Sequence, residues 1–237
     1  MKSILFVRGF ATSLSSGMDD YLHLKLVLQN TYEFVYFDYD PSEVLDVVYK
    51  RMCSVIESRK FDILMGHSLG GGLVAKYIKS NPSQISKYEK IILLMPLICK
   101  NTSADLLSIL FSSPIFILNP KMILTKGLIV QSSQICEGGN LLNGDYSLVS
   151  FKQPNDLYNE PNSVISNDVS FIANNPNITL FYASEEKINI IDESVLQKIP
   201  PDQLKRVSGL HECWRSVRIN TNKKTDFFTQ LNHVLDL

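Results

Sequence analysis

Residues 61–79 read FDILMGHSLGGGLVAKYIK. The apolar run at 63–65 has the length of a short buried strand, and the apolar residues within 73–78 recur at the spacing of a helix. Between the two lies Gly66-His67-Ser68-Leu69-Gly70, in which a serine stands between two glycines. A side chain at either glycine would crowd a sharp turn from strand to helix. The pattern therefore predicts a nucleophile elbow, with the Ser68 hydroxyl above the sheet at the positive end of the helix.

Strand and helix patterns also alternate along the rest of the chain. Short apolar runs predict strands at 4–7, 34–37, 90–97, 177–182 and 204–207. Helical spacing of apolar residues predicts helices at 21–29, 41–59 and 225–237. Asp40 and Pro41 are expected to open the second of these helices, as its capping residue and its first helical residue. The alternation predicts the α/β class, with a mostly parallel central sheet and helices on both faces.

The segment Gly66-His67-Ser68-Leu69-Gly70-Gly71 resembles the elbow of the α/β-hydrolase family, especially its lipase-like and esterase-like members. Together with the alternating pattern, the resemblance covers most of the chain. It implies the α/β-hydrolase fold and a serine hydrolase that cleaves a carboxylic ester through an acyl-enzyme intermediate. It implies a small-molecule acyl ester as the substrate, and neither a cofactor nor a metal.

The regular alternation breaks between residues 98 and 176. Members of the family usually carry a cap or lid at this place, after the strand that follows the elbow helix. The resemblance therefore implies a core formed by 1–97 and 177–237, with 98–176 as an inserted cap. Within this cap the run 106–118 is strongly apolar but too short to span a bilayer. It is expected to bury against the core, an acyl chain or a lipid surface.

A serine hydroxyl is a weak nucleophile and needs an adjacent base, which is in turn oriented by a carboxylate. In the α/β-hydrolase family the three residues follow the chain order serine, acid, histidine. Only His211 and His233 follow Ser68 in the sequence. His233 falls inside the predicted last helix, whereas His211 lies in a glycine-containing loop after a predicted strand, as the family's catalytic histidine does. The resemblance therefore implies His211 as the base.

The acid of the family often lies in a Gly-x-x-Asp loop after the penultimate strand. Here Ala183-Ser184-Glu185-Glu186 resembles this loop, with alanine in place of glycine and glutamate in place of aspartate. The extra methylene of a glutamate changes the reach of its carboxylate. The resemblance places the acid at Glu186, and Glu185 and Asp192 remain as alternatives.

Two backbone N–H groups form the oxyanion hole in this family. One belongs to the residue after the nucleophile, which is Leu69 in this chain. The other comes from a loop after an early strand, often His-Gly-x. The matching residues are Arg8-Gly9-Phe10, so the resemblance implies Phe10 as the second donor. Arg8 departs from the usual histidine. A structural salt bridge is its expected role, and recognition of an acidic group on the substrate is the alternative.

Composition narrows the classes of partner. The 237 residues carry a formal net charge of -1, which gives no reason to expect nucleic acid or an anionic membrane as a partner. The four cysteines form no Cys-x-x-Cys pair, so a metal site is not expected. No signal-peptide pattern and no apolar run of ~18 residues is found, and we expect a cytoplasmic protein without a transmembrane segment. No feature of the sequence indicates an oligomeric state.

Two other functions could use the same sequence features. The first keeps the serine, histidine and acid but transfers the acyl group, or cleaves a thioester, an amide or an activated lactone. The second is a non-catalytic binding protein built on a hydrolase fold. The presence of both Ser68 and His211 argues against this second function. A fold by itself does not decide between such chemistries.

Overall fold

A computed structural model describes residues 1–9, 21–40, 43–99, 157, 164–186, 189–209, 211, 213–214 and 221–236. Within these residues six strands form one sheet, and every neighbouring pair of strands is parallel. The strands are β1 (Lys2–Val7), β2 (Tyr32–Phe37), β3 (Ile63–His67), β4 (Lys90–Leu94), β5 (Ile178–Ala183) and β6 (Leu204–Val207). Their spatial order is β2-β1-β3-β4-β5-β6, which confirms the predicted parallel sheet.

Helices cover both faces of this sheet. The α-helices are α1 (Leu22–Leu28), α2 (Leu45–Ser58), α3 (Leu69–Ser80), the single turns α4 (Ser170–Ala173) and α5 (Glu193–Leu196), and α6 (Thr221–Leu235), and a 3-10 helix spans Pro82–Lys87. Successive side chains of a strand point to opposite faces. Leu64 of β3 therefore packs in the apolar cluster that includes α2 and α3, whereas the next residue, Met65, packs in the cluster that includes α1 and α6. The result is the predicted three-layer α/β arrangement.

The start of the second helix differs from the prediction. Helix α2 begins at Leu45, after Val44 in an extended conformation, and no side chain caps it. Asp40 instead belongs to a preceding turn, in which the Glu43 N–H donates to the Asp40 carbonyl at 3.0 Å. The Glu43 carboxylate accepts the Asp40 N–H at 2.8 Å. The prediction that Asp40 caps this helix was therefore wrong, because these bonds close a separate turn. Pro41 lies outside the described residues.

The fourth strand is also shorter than predicted. It ends at Leu94, because Met95 has a φ of 41° and so leaves the extended conformation. The Met95 N–H still donates to the carbonyl of Phe181 in β5, at 3.0 Å. The sharp change of direction at Met95 lies at the end of β4, beside the elbow that follows β3.

Part of the predicted cap can be compared with the structure. Val164, Val169 and Ile172 are buried in the same apolar cluster as Leu93 of β4. The apolar run 106–118 lies outside the described residues, and the division into core and cap stays a prediction. Among the helices that are described, none is both long enough and apolar enough to cross a membrane.

Candidate active site

Ser68 occupies a strained position between β3 and α3. Its φ is 53° and its ψ is −119°, which is costly for a residue with a side chain. Neighbouring elements hold it there: the Ser68 N–H donates to the Leu94 carbonyl at 2.9 Å, and the Ser68 carbonyl accepts N–H groups from Gly72 and Leu97 at 3.0 and 2.9 Å. The Ser68 side chain makes no capping bond to α3 and is partly exposed. Its hydroxyl is therefore available for other contacts.

Close packing explains the glycines on both sides of Ser68. A Cβ atom on Gly66 would lie 2.6 Å from the carbonyl oxygen of Gly70. A Cβ atom on Gly70 would overlap the carbonyl oxygens of Val7 and Arg8 at the end of β1. Only glycine allows these backbones to approach so closely, as the sequence pattern predicted.

The backbone groups predicted to form an oxyanion hole belong to two segments. Leu69 is the first residue of α3, and N–H groups in the first turn of a helix have no acceptor within that helix. On the other side, a Cβ atom on Gly9 would lie 3.1 Å from the Cβ of Ser68, so the loop after β1 passes beside the serine. Phe10, the predicted second donor, lies outside the described residues.

Glu186 and His211 form a buried pair. Nδ1 of His211 lies 2.8 Å from Oε2 of Glu186, and both residues are buried. The other carboxylate oxygen of Glu186 accepts the backbone N–H of Asn189 at 3.1 Å. A carboxylate in this position fixes the orientation of the imidazole and stabilises its protonated form.

Backbone hydrogen bonds join the two loops that carry this pair. The Glu185 N–H donates to the carbonyl of Gly209 at 2.9 Å, and the Ser184 N–H donates to the carbonyl of Val207 at 2.8 Å. These bonds extend the pairing of β5 with β6 into the loops beyond the strand ends. As a result, residues separated by 25 positions in the sequence face each other at hydrogen-bonding distance.

The two alternative acids, Glu185 and Asp192, and the other histidine, His233, do not belong to this buried pair. Glu185 is exposed, although it follows directly from the same strand. Asp192 is also exposed, and its carboxylate accepts the Ser194 N–H at 2.8 Å as the cap of α5. Hydrogen bonds from Ser194 lower the pKa of the Asp192 carboxyl. His233 is exposed on α6. Of the predicted acids and bases, the structure therefore pairs only Glu186 with His211.

Two residues of this site were not predicted from the sequence. Asn189 donates from Nδ2 to Oγ of Ser68 at 3.2 Å. The Tyr21 hydroxyl accepts the Gly9 N–H at 2.9 Å and lies 2.8 Å from Nδ1 of His67. Asn189 is a polar residue within an otherwise apolar run, and this was the one signal that pointed to it. Nothing in the local sequence distinguishes Tyr21.

His67 is enclosed by aromatic rings. The ring centroids of His211 and Trp214 both lie 4.7 Å from that of His67, and the Tyr21 ring lies at 5.7 Å. Burial lowers the pKa of His67 well below its ordinary value of 6.5, and charge on His211 would lower it further. His67 is therefore neutral near pH 7 and supports the elbow by packing.

This environment predicts a pH dependence of stability. Unfolded chains bind a proton at His67 below about pH 6.5. The folded protein does not, so its free energy of unfolding should fall by up to about 1.4 kcal/mol for each pH unit below that value. Urea unfolding at pH 7 and pH 5 should show a smaller loss for His67→Gln than for the unsubstituted protein. His233→Gln, on the exposed face of α6, is the control and should retain the full loss. Parallel pH profiles for all three proteins would contradict this interpretation.

Arg8 has a structural role, as expected. Its guanidinium is fully buried, with Nε 2.5 Å from a carboxylate oxygen of Asp38, and it donates to the carbonyl of Tyr39. It also lies 4.7 Å from the centroid of the Tyr39 ring.

The Cys213 thiol is buried as well, and burial raises its pKa, so it stays protonated and unsuited to nucleophilic attack.

Comparisons with known proteins support the fold. No protein-family model and no curated protein sequence matches the chain. The carboxylesterase CesB from Bacillus subtilis superposes with a TM-score of 0.61 at 11% identity, over 99% of this chain and 82% of that chain. A meta-cleavage product hydrolase gives 0.60 at 13% identity, over 99% and 92%. The thioesterase domain from the curacin biosynthetic pathway gives 0.56 at 16% identity, over 99% and 91%. The chain therefore has the predicted α/β-hydrolase fold.

Proposed function

We propose that this protein is a serine hydrolase that cleaves a small carboxylic ester, with Ser68 as nucleophile, His211 as base and Glu186 as acid. The observation that carries the proposal is the buried contact of 2.8 Å between His211 and Glu186. That pair belongs to the same cluster as the strained Ser68, because Asn189 contacts both Glu186 and Ser68. A carboxylate, an imidazole and a partly exposed serine hydroxyl are the components of nucleophilic acyl transfer.

In the acylation step, the Ser68 Oγ attacks the carbonyl carbon of the ester while His211 takes the hydroxyl proton. Glu186 stabilises the imidazolium that forms. The negative charge on the former carbonyl oxygen is bound by the N–H of Leu69 and, as the resemblance to the family implies, by that of Phe10. As the intermediate collapses, the carbon–oxygen bond of the ester breaks, and His211 returns the proton to the leaving alcohol.

In the deacylation step, water replaces the alcohol. His211 takes a proton from the water as its oxygen attacks the acyl carbon, and Ser68 leaves with that proton. The acid product is released and the enzyme returns to its starting state. No step requires a redox change or an additional group.

The experiment is activity-based labelling combined with a substrate panel. A fluorophosphonate should label the folded protein covalently, and peptide mass spectrometry should locate the adduct on Ser68. The panel compares p-nitrophenyl esters of increasing acyl length with a matched thioester and a matched anilide. Fastest turnover of an ester supports the proposal, whereas fastest turnover of the thioester or anilide would replace the substrate class but keep the three residues. A protein that is neither labelled nor active on any substrate would be the binding protein considered above.

A further inference from the structure

Asn189 connects three parts of the site. Its side chain is buried, and its backbone N–H donates to Oε1 of Glu186 at 3.1 Å. Its side-chain Nδ2 donates to the carbonyl of Met95 at 2.8 Å and to Oγ of Ser68 at 3.2 Å. One residue therefore links the acid, the end of β4 and the nucleophile.

The contact with Met95 fixes which end of the carboxamide faces Ser68. A backbone carbonyl only accepts hydrogen bonds, so the amide atom facing Met95 must be the nitrogen. That nitrogen carries two hydrogens. With one donated to Met95, the second is directed to the Ser68 Oγ. The positive φ of Met95, at 41°, brings its carbonyl to this place at the end of β4.

We propose that Asn189 is a further catalytic residue, whose Nδ2–H stabilises negative charge on the Ser68 Oγ. This inference rests on the proposed function. When His211 removes the hydroxyl proton, charge develops on Oγ before the bond to the acyl carbon is complete. Charge develops there again in deacylation, as the bond between Oγ and the acyl carbon breaks. Oγ is a weaker acceptor in the acyl-enzyme, where it is an ester oxygen, so the Asn189 bond is strongest in the two transition states. Interactions of this kind accelerate a reaction.

A purely structural role makes a different prediction. Asn189 could serve only to attach the loop after β5 to the end of β4. Asn177 offers a matched comparison, because its Nδ2 also makes two hydrogen bonds, to the carbonyls of Ile85 and Tyr88 at 3.0 and 2.9 Å. It directly precedes the same strand, β5, and so lies at the amino ends of the strands, whereas Ser68 lies at their carboxyl ends. Its loss should cost stability and leave the chemistry unchanged.

The test compares the rate constant for reaction with the fluorophosphonate among Asn189→Leu, Asn177→Leu and the unsubstituted protein. Each rate constant is normalised to the amount of protein that is labelled when the reaction is complete. Leucine has a similar shape to asparagine but donates no hydrogen bond. Asn189→Leu should slow phosphonylation, and kcat for the best ester, by roughly 10- to 100-fold, with little change in KM. Asn177→Leu should keep both rates within about threefold of the unsubstituted protein, even if its melting temperature falls. If Asn189→Leu does not fold, Asn189→Ser replaces it, because serine is smaller and polar.

Each result has a distinct meaning. A slow reaction of the Asn189 variants alone supports the proposal. Unchanged rates in a folded Asn189 variant would overturn it and leave the proposed function intact. Equal slowing by both substitutions would also overturn it, in favour of a structural role. Absence of labelling in the unsubstituted protein would overturn the proposed function and this inference together.

Discussion

Ser68→Ala should abolish ester hydrolysis and fluorophosphonate labelling while the protein remains folded. The loss in kcat should be on the order of 10⁶-fold, because the base and acid have no nucleophile to activate. Residual catalysis of ~10³-fold over water is expected from substrate binding and the oxyanion donors. Removing one oxygen from a partly exposed side chain should leave the melting temperature nearly unchanged.

The control for this substitution is Ser80→Ala, at the exposed end of the same helix, α3. It should be labelled and should hydrolyse esters at the rate of the unsubstituted protein. Labelling of Ser68→Ala at an undiminished rate would show that a different side chain is the nucleophile, and the assignment would have to be abandoned.

His211→Ala should cost nearly as much as Ser68→Ala, since the residues of such a site act as a unit. Glu186→Gln should cost less but still orders of magnitude, because a neutral amide orients the imidazole without stabilising its positive charge. Steady-state kinetics with the best ester measures both effects. His233→Ala and Asp192→Asn, at exposed positions, are the matched controls and should retain normal rates.

The same measurements distinguish Glu186 from Asp192 as the acid. Full activity in Glu186→Gln together with an inactive Asp192→Asn would move the acid to Asp192. Such a result would also require the cap of α5 to open, because Asp192 now binds the Ser194 N–H.

Several features could be predicted because their causes are local. The elbow follows from two glycines that flank Ser68, and the close approach of β1 to Gly70 shows why they are needed. The strand at Leu204–Val207 was predicted with the bounds that the structure has. The start of α2 could not be predicted from its capping residues, because Asp40 and Glu43 close a separate turn instead.

The sequence by itself therefore determined the α/β arrangement and the turn at Ser68, since these depend on periodicity and on the positions of glycines. His211 was predicted as the base through the resemblance to the family, and its role stays a prediction. Only the tertiary structure decided which carboxylate faces His211, because burial of Glu186 and exposure of Asp192 depend on how the loops after β5 and β6 pair. It also decided the contact between Asn189 and Ser68, which lie 121 residues apart. Local patterns carry no information about such a contact, because it forms only once β3, β4 and β5 lie side by side in the parallel sheet and bring the loops at their carboxyl ends together.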